Sequence, residues 1–253
     1  MFSLSNLGAP LPAWPGPRRF RSALGRAIGA IPGWIAVFDA QYSETSKSIN
    51  RVVGRSSPAT ITTGLTFANG KPAIEVSPGS NLGIPLNLAA YVDEVVDRTN
   101  FTFFAVVQRT AALAQPAILW RPFEDATAGQ KGFAPTINTA NNFAVYNRSA
   151  GATTLLLEGA IVSLNVPTLL LMSYSAERGL TIRQNAVQRG NLPAETAPTI
   201  PANIVQMGNM LQGNTAGNIR YGLVGLLKGD LTRTSQAARL AQLESGLLSM
   251  YSA

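Results

Sequence analysis

Residues 219–228 read Ile-Arg-Tyr-Gly-Leu-Val-Gly-Leu-Leu-Lys, followed by Gly229-Asp230-Leu231-Thr232 and a helical pattern that runs to Tyr251. The first stretch is a long apolar strand. In the last, Leu240, Leu243, Leu247 and Tyr251 recur at helical spacing with Leu248 beside them, which predicts an amphipathic helix over Arg239–Tyr251. Thr232 or Thr234 stands where an N-cap is needed. Gly222 and Gly225 lie inside the strand, where glycine permits close packing or a bulge. One helix closing an otherwise strand-rich chain points to a binding or assembly module.

Working outward, short β-branched or aromatic runs bounded by Gly, Pro, Asn or Ser recur along the chain. They predict strands at Trp34–Phe38, Ala59–Leu65, Ala73–Val76, Phe101–Gln108, Ala117–Trp120, Phe143–Asn147, Thr153–Glu158, Thr168–Tyr174, Gly179–Arg183 and Asn203–Gln206. Such spacing indicates a sandwich or barrel and not βαβ units. Phe101–Val107 and Thr168–Met172 are continuous runs without alternation, as expected of central strands covered on both faces. A second short helix is expected over Leu86–Val96, with Asp93, Glu94 and Asp97 outward. Trp34 and Trp120 border strands and are expected in the core.

The chain divides into two segments. Residues 1–33 carry Pro10, Pro12, Pro15, Pro17 and Pro32 among glycines and read as an extended arm; residues 34–253 form the body. Arg18, Arg19, Arg21 and Arg26 all precede the first acidic residue, Asp39, and account for much of the net charge of +7. With Trp14 and Phe20 they form a docking set, for which a protein partner ranks ahead of nucleic acid and a membrane surface.

Composition excludes several chemistries. The 253 residues contain no Cys and no His, so disulfides, thiolate or imidazole zinc sites and Ser–His–Asp or Cys–His catalysis are ruled out. A calcium site of carboxylates and carbonyls stays open. The 13 acidic residues are scattered; Glu124 and Asp125 are adjacent, and adjacent strand side chains point to opposite faces. No phosphate loop occurs. These observations predict a non-enzymatic chain with no cofactor. Charged residues make up only 13%, which suits surfaces covered by neighbours in a multi-copy assembly. No apolar run approaches the roughly 20 residues of a membrane span, and Met1–Pro17 lacks the pattern of a secretory signal. Synthesis and assembly in the cytoplasm are expected. Asn138, Asn141 and Asn142, near Tyr146, form a polar loop that reads first as a plain turn and second as a set for sugar hydroxyls.

The order of segments resembles laminin-G-like, concanavalin A-like sandwiches of bacteriophage and bacterial proteins. The opening strand is similar in Val37-Phe38-Asp39-Ala40. Gly70-Lys71-Pro72-Ala73-Ile74-Glu75-Val76 and the turn Pro78-Gly79-Ser80-Asn81 are similar to the next motif. Phe101–Gln108, Asn203–Gly208 and the closing Tyr221–Tyr251 complete the match, over about residues 34–251. The pattern departs at Ser43–Ser57 and at Ser235-Gln236, where a Glu is common in the family. The resemblance implies an all-β, two-sheet antiparallel jelly-roll sandwich with a C-terminal amphipathic helix and the N-terminal extended arm added. It implies a virion component, whether capsid decoration, tail or fibre, docked on other virion proteins through the arm. The alternative it leaves is a carbohydrate-binding module or adhesin for host-surface glycan.

Overall fold

A computed structural model describes residues 31, 33–40, 61–76, 86–87, 99–114, 116–123, 132–149, 152–194, 204–207 and 219–251. In chain order the strands are Trp34–Asp39 (β1), Ile61–Thr66 (β2), Pro72–Val76 (β3), Leu86–Asn87 (β4), Asn100–Arg109 (β5), Ala117–Ile118 (β6), Trp120–Phe123 (β7), Gly132–Ile137 (β8), Asn142–Ser149 (β9), Ala152–Ile161 (β10), Thr168–Ser175 (β11), Gly179–Gln184 (β12), Val187–Leu192 (β13), Ile204–Met207 (β14) and Ile219–Lys228 (β15). A 3-10 turn at Thr234–Gln236 then leads into one helix, Ala237–Tyr251 (α1).

The main sheet has the order β13-β12-β11-β5-β15-β3-β2, with β1 also paired to β15 beyond the single β3 contact at Tyr221. A four-stranded sheet, β10-β9-β8-β6, covers one face. A three-stranded sheet, β4-β14-β7, adjoins it where β7 lies against β8. All the strand pairings are antiparallel. The chain is therefore an all-β sandwich closed by one C-terminal helix.

Strand β5 shows why the sheet is central. Phe101, Phe103, Ala105 and Val107 join the core between the sheets, while Phe104 and Val106 join a second core under the helix. Both faces are covered, as the continuous apolar run requires. Strand β11 is buried along its whole length, with Leu170, Met172 and Tyr174 on one side and Leu169 and Leu171 on the other.

Strand β15 carries both features that its glycines allow. Tyr221 pairs with Val107 and Val224 with Ala105, so one extra residue is inserted there. This bulge moves the inward parity from Ile219 and Tyr221 to Val224 and Leu226. Without it the second half of the strand would present its large side chains to the wrong layer.

Helix α1 lies on the far face of the main sheet. Leu240, Leu243, Leu247 and Tyr251 are buried against Phe67, Phe104, Leu171 and Leu223, on the order of 2 kcal/mol for each leucine. The aromatic ring of Tyr251 packs edge-on against Phe67, with centroids 5.5 Å apart. Among the described residues no helix is long and apolar enough to cross a membrane.

A polar knot anchors the turn from β15 into the helix. Asp230, only 4% exposed, accepts from Ser173 Oγ at 2.6 Å, from the Thr232 amide at 2.8 Å and from the Thr232 hydroxyl. Its other oxygen accepts from Arg178 at 3.0 Å. Thr102 donates to the Gly229 carbonyl and receives the Leu231 amide, which ties β5 to the same turn.

The structure departs from the sequence reading at several points. Neither Thr232 nor Thr234 is the cap residue of the 3-10 turn: Thr234 lies inside it, Thr232 donates its hydroxyl to Asp230, and Arg233 occupies the cap position without a side-chain cap bond. The helix expected over Leu86–Val96 begins instead as strand, since Leu86 and Asn87 pair with Met207 and Gln206. There the cross-strand ladder outweighs local helical spacing, and residues 88–98 lie outside the described residues. Trp34 is half-buried, edge-on to Phe104 with centroids 5.6 Å apart. Strands β8 and β13 have no counterpart among the strands that the sequence predicts. Ile31 and Gly33, which read as arm, are held by the body: Ile31 is buried under the helix and the Gly33 carbonyl accepts from the Lys228 amide.

Candidate functional site

The β8–β9 hairpin brings part of the predicted polar loop together. The Asn138 amide donates to the Asn142 carbonyl at 3.0 Å, and the Asn141 amide donates to the Asn138 carbonyl at 2.8 Å. Asn141 has φ +67, a conformation Asn tolerates better than most residues. The loop is thus a tight hairpin turn, which accounts for Asn141 by itself.

Asn138 and Asn142 do more than turn the chain. The Asn138 side-chain amide donates to Glu158 Oε1 at 2.7 Å and the Asn142 side-chain amide to the same oxygen at 3.0 Å. Asn138 Oδ1 meanwhile accepts from the Asn142 backbone amide at 2.9 Å. These bonds, first from Asn142 and then from Asn138, hold the exposed Glu158 carboxyl below its ordinary pKa. Glu158 therefore stays ionised and acceptor-only into mild acid. Its bonds to the two amides lose their charge assistance and weaken as pH falls through that lowered value.

Alternation places these groups on one face of the sheet, where Glu158 is exposed, Asn142 is half-buried, and Asn138 and Ala144 are buried. Phe143 and Val145 of β9 point into the core, so Asn142 and the half-buried Tyr146 share the opposite face. Tyr146 sits four residues along the strand, about 13 Å from Asn142 at the usual rise. Asn138, Asn142 and Glu158 form one cluster; Tyr146 lies on the same face but apart from it. In the sequence Glu158 reads only as the end of a strand. Its signal is an acidic residue closing an apolar run, Leu155-Leu156-Leu157-Glu158, in a chain whose preceding turn is rich in side-chain amides.

Trp14, Arg18, Arg19, Phe20, Arg21 and Arg26 lie outside the described residues, as do Glu124 and Asp125. Among the described residues no group of three or more acidic side chains is placed to hold a metal ion.

The architecture defines an antiparallel β-sandwich domain with a helix on the outside of its larger sheet. No family model matches the chain, and no curated protein matches its sequence. Solved structures do match. The binding domain of botulinum neurotoxin serotype D is similar with a TM-score of 0.59 at 9% identity, covering 88% of this chain and 53% of that one. Trypanosoma rangeli sialidase in complex with sialic acid is similar with a TM-score of 0.53 at 10% identity, covering 85% of this chain and 33% of that one. At such identity the likeness is one of fold. The chain spans about a third of the sialidase and about half of the toxin domain.

Proposed function

We propose that this chain is a non-enzymatic recognition module whose outward β8–β9–β10 face binds glycan. The observation that carries this reading is the exposed, ionised Glu158 carboxyl beside the half-buried Asn142 amide, braced from behind by the buried Asn138, with the half-buried Tyr146 farther along the strand. Amides and a carboxylate offer directed partners to sugar hydroxyls, and the tyrosine ring offers an apolar face to a sugar ring. Two carboxylates elsewhere already have structural partners: Asp230 in the turn knot and Glu244 on Arg183. One fold neighbour is a binding domain and another was solved with sialic acid, which supports a recognition role. On a glycan array the native chain should bind at least one glycan. Asn142→Ala and Tyr146→Ala should each weaken that binding about tenfold, as expected for loss of a hydrogen-bonding group or a ring contact, with unchanged circular dichroism. Binding unaffected by both changes would move the site elsewhere; binding to no glycan would end the reading.

The second reading is a bacteriophage virion component of the laminin-G-like, concanavalin A-like kind, present in many copies and docked on other virion proteins. Support comes from the 13% charge and from Trp14, Arg18, Arg19, Phe20, Arg21 and Arg26 lying ahead of Ile31, the first described residue in the core. Removing residues 1–30 should leave a folded sandwich that no longer enters particles. Normal incorporation of the truncated chain would refute it.

A further inference from the structure

Four large aliphatic side chains stand in water at one end of the sandwich. Ile161 is 61% exposed, and Leu164, Val166 and Val187 are each exposed by 47–48%. Ile161 closes β10, Leu164 and Val166 lie in the loop to β11, and Val187 opens β13. The register brings them to the same place. Gln184, paired with Val187, donates its side-chain amide to the Ile161 carbonyl at 2.9 Å. Leu164 bridges to Arg109 at the end of β5, and Val166 stands just ahead of Thr168, which pairs with Val107 of the same strand.

The backbone under this patch is tied down. The Val162 amide donates to the Asn141 carbonyl and the Asn165 amide to the Arg109 carbonyl, both at 2.8 Å. Arg109 Nε donates to the Val162 carbonyl at 3.1 Å. Covering the patch therefore strands none of these polar groups. A contiguous apolar patch held in place this way marks a contact surface.

Two features select what covers it. A stable face-to-face pair needs roughly 800 Å² and about 20–30 residues from each partner. Four side chains fall short of that and suit a single segment of chain. Glu158, on the same strand as Ile161, is exposed, and among the described residues no cation pairs with it. The matching segment is thus cationic as well as apolar. Residues 18–28, Arg-Arg-Phe-Arg-Ser-Ala-Leu-Gly-Arg-Ala-Ile, have that composition.

The segment does not reach the patch of its own chain. The Gly33 carbonyl accepts from the Lys228 amide, and Lys228 lies opposite Phe101, so the chain enters the body at the Phe101 end of β5. The patch is at the Arg109 end, about 27 Å away at the usual rise. Even fully extended, Ile28 stays within about 11 Å of the buried Ile31 and Leu24 within about 25 Å.

We propose that residues 18–28 of one copy dock on Ile161, Leu164, Val166 and Val187 of the next, with an arginine on Glu158. The proposal deepens the virion reading and rests on it for the arm's being a docking element. Because two different surfaces meet, the product is a ring or a row of copies.

The test is sedimentation velocity of the full chain over a range of concentrations. The native chain should associate reversibly, and less so as salt is raised. Leu164→Arg and Val187→Arg, both at exposed positions, should each weaken association at least about tenfold with unchanged circular dichroism. Leu155→Arg, equally exposed at the other end of β10, should leave association unchanged. A synthetic peptide of residues 18–28 in excess should return the native chain to monomers. A native chain monomeric throughout, or association indifferent to both patch changes, would overturn the proposal. So would association that the peptide does not inhibit, which would mean patch against patch. Binding of the native chain to phosphatidylcholine–phosphatidylglycerol vesicles, lost in Leu164→Arg while association persists, would assign the patch to a lipid surface instead. If the chain without residues 1–30 fails to enter particles while Leu164→Arg enters normally, the arm docks on a different virion protein; the proposal then falls and the virion reading stands.

Discussion

Glu244→Gln should lower the stability of the chain by about 3 kcal/mol. Glu244 lies on the buried side of the helix, and its two oxygens accept from Arg183 Nε at 2.7 Å and from the Arg183 terminal nitrogen at 2.8 Å. Its side chain is 4% exposed and that of Arg183 17%. The same Arg183 donates to the Ala186 carbonyl at 2.6 Å, so one guanidinium joins the helix, β12 and the β12–β13 turn. Neutralising Glu244 leaves a largely buried cation with only the carbonyl and a weak amide partner. Breaking such a pair from one side typically costs about 3–5 kcal/mol, and the partial exposure of Arg183 places this case at the lower end. Urea denaturation should show a reduced midpoint with an unchanged slope. The double change Arg183→Met with Glu244→Leu should recover most of the loss, because no charge is then stranded. A loss below about 1 kcal/mol in Glu244→Gln would mean that solvent reaches Arg183 freely.

Gly225→Ala should be nearly as damaging, for a reason of space and not of charge. A Cβ at Gly225 would lie 2.4 Å and 2.5 Å from Phe104 ring atoms and 2.9 Å from the Trp34 ring. Phe104 has no exposed surface, and its ring is already set edge-on against Trp34. Neither the ring nor the backbone of β15, bonded to β5 on one side and β1 on the other, has room to yield. Forced overpacking of this kind costs about 1–3 kcal/mol, and the upper end is expected. Thermal unfolding is the measurement, and Phe104→Leu in the Gly225→Ala background should restore part of the loss. If Gly225→Ala melts with the native chain, the close packing of β15 on Phe104 is wrong.

Both residues belong to the closing segment, and they differ in how far the sequence announces them. Residues 219–228 are legible as a strand with the same ends the structure gives it. Strands β5 and β11 are legible as strands covered on both faces, because a long apolar run without alternation can be kept from water only by a layer on each side. The glycines of β15 read as packing or bulge, and the structure uses them for both. Strand β13 is illegible: Val187-Gln188-Arg189-Gly190-Asn191-Leu192 is polar and mostly exposed, and its place depends on an edge offered by β12. Leu86–Asn87 misleads a local reading because its partner, β14, lies far along the chain. At the candidate site, Asn138 and Asn142 are visible as a turn with chemistry to spare. Glu158 is not, since only the register of β10 on β9 brings it beneath them.

The pairing of β5 with β15 has a consequence for how the chain is made. Thr102 lies opposite Leu227, so a strand synthesised early waits for one synthesised late. A ribosome adds roughly 5–20 residues per second, and for several seconds β5 must stay unpaired on that side with Phe101, Phe103 and Phe104 exposed. Contacts so distant in sequence also make closure slow. Vectorial folding can therefore build the β8–β9–β10 hairpins and the β11–β12–β13 meander first, while the core that gives the domain its stability forms only when β15 is released. During that interval the nascent chain is most exposed to aggregation and has most use for a chaperone.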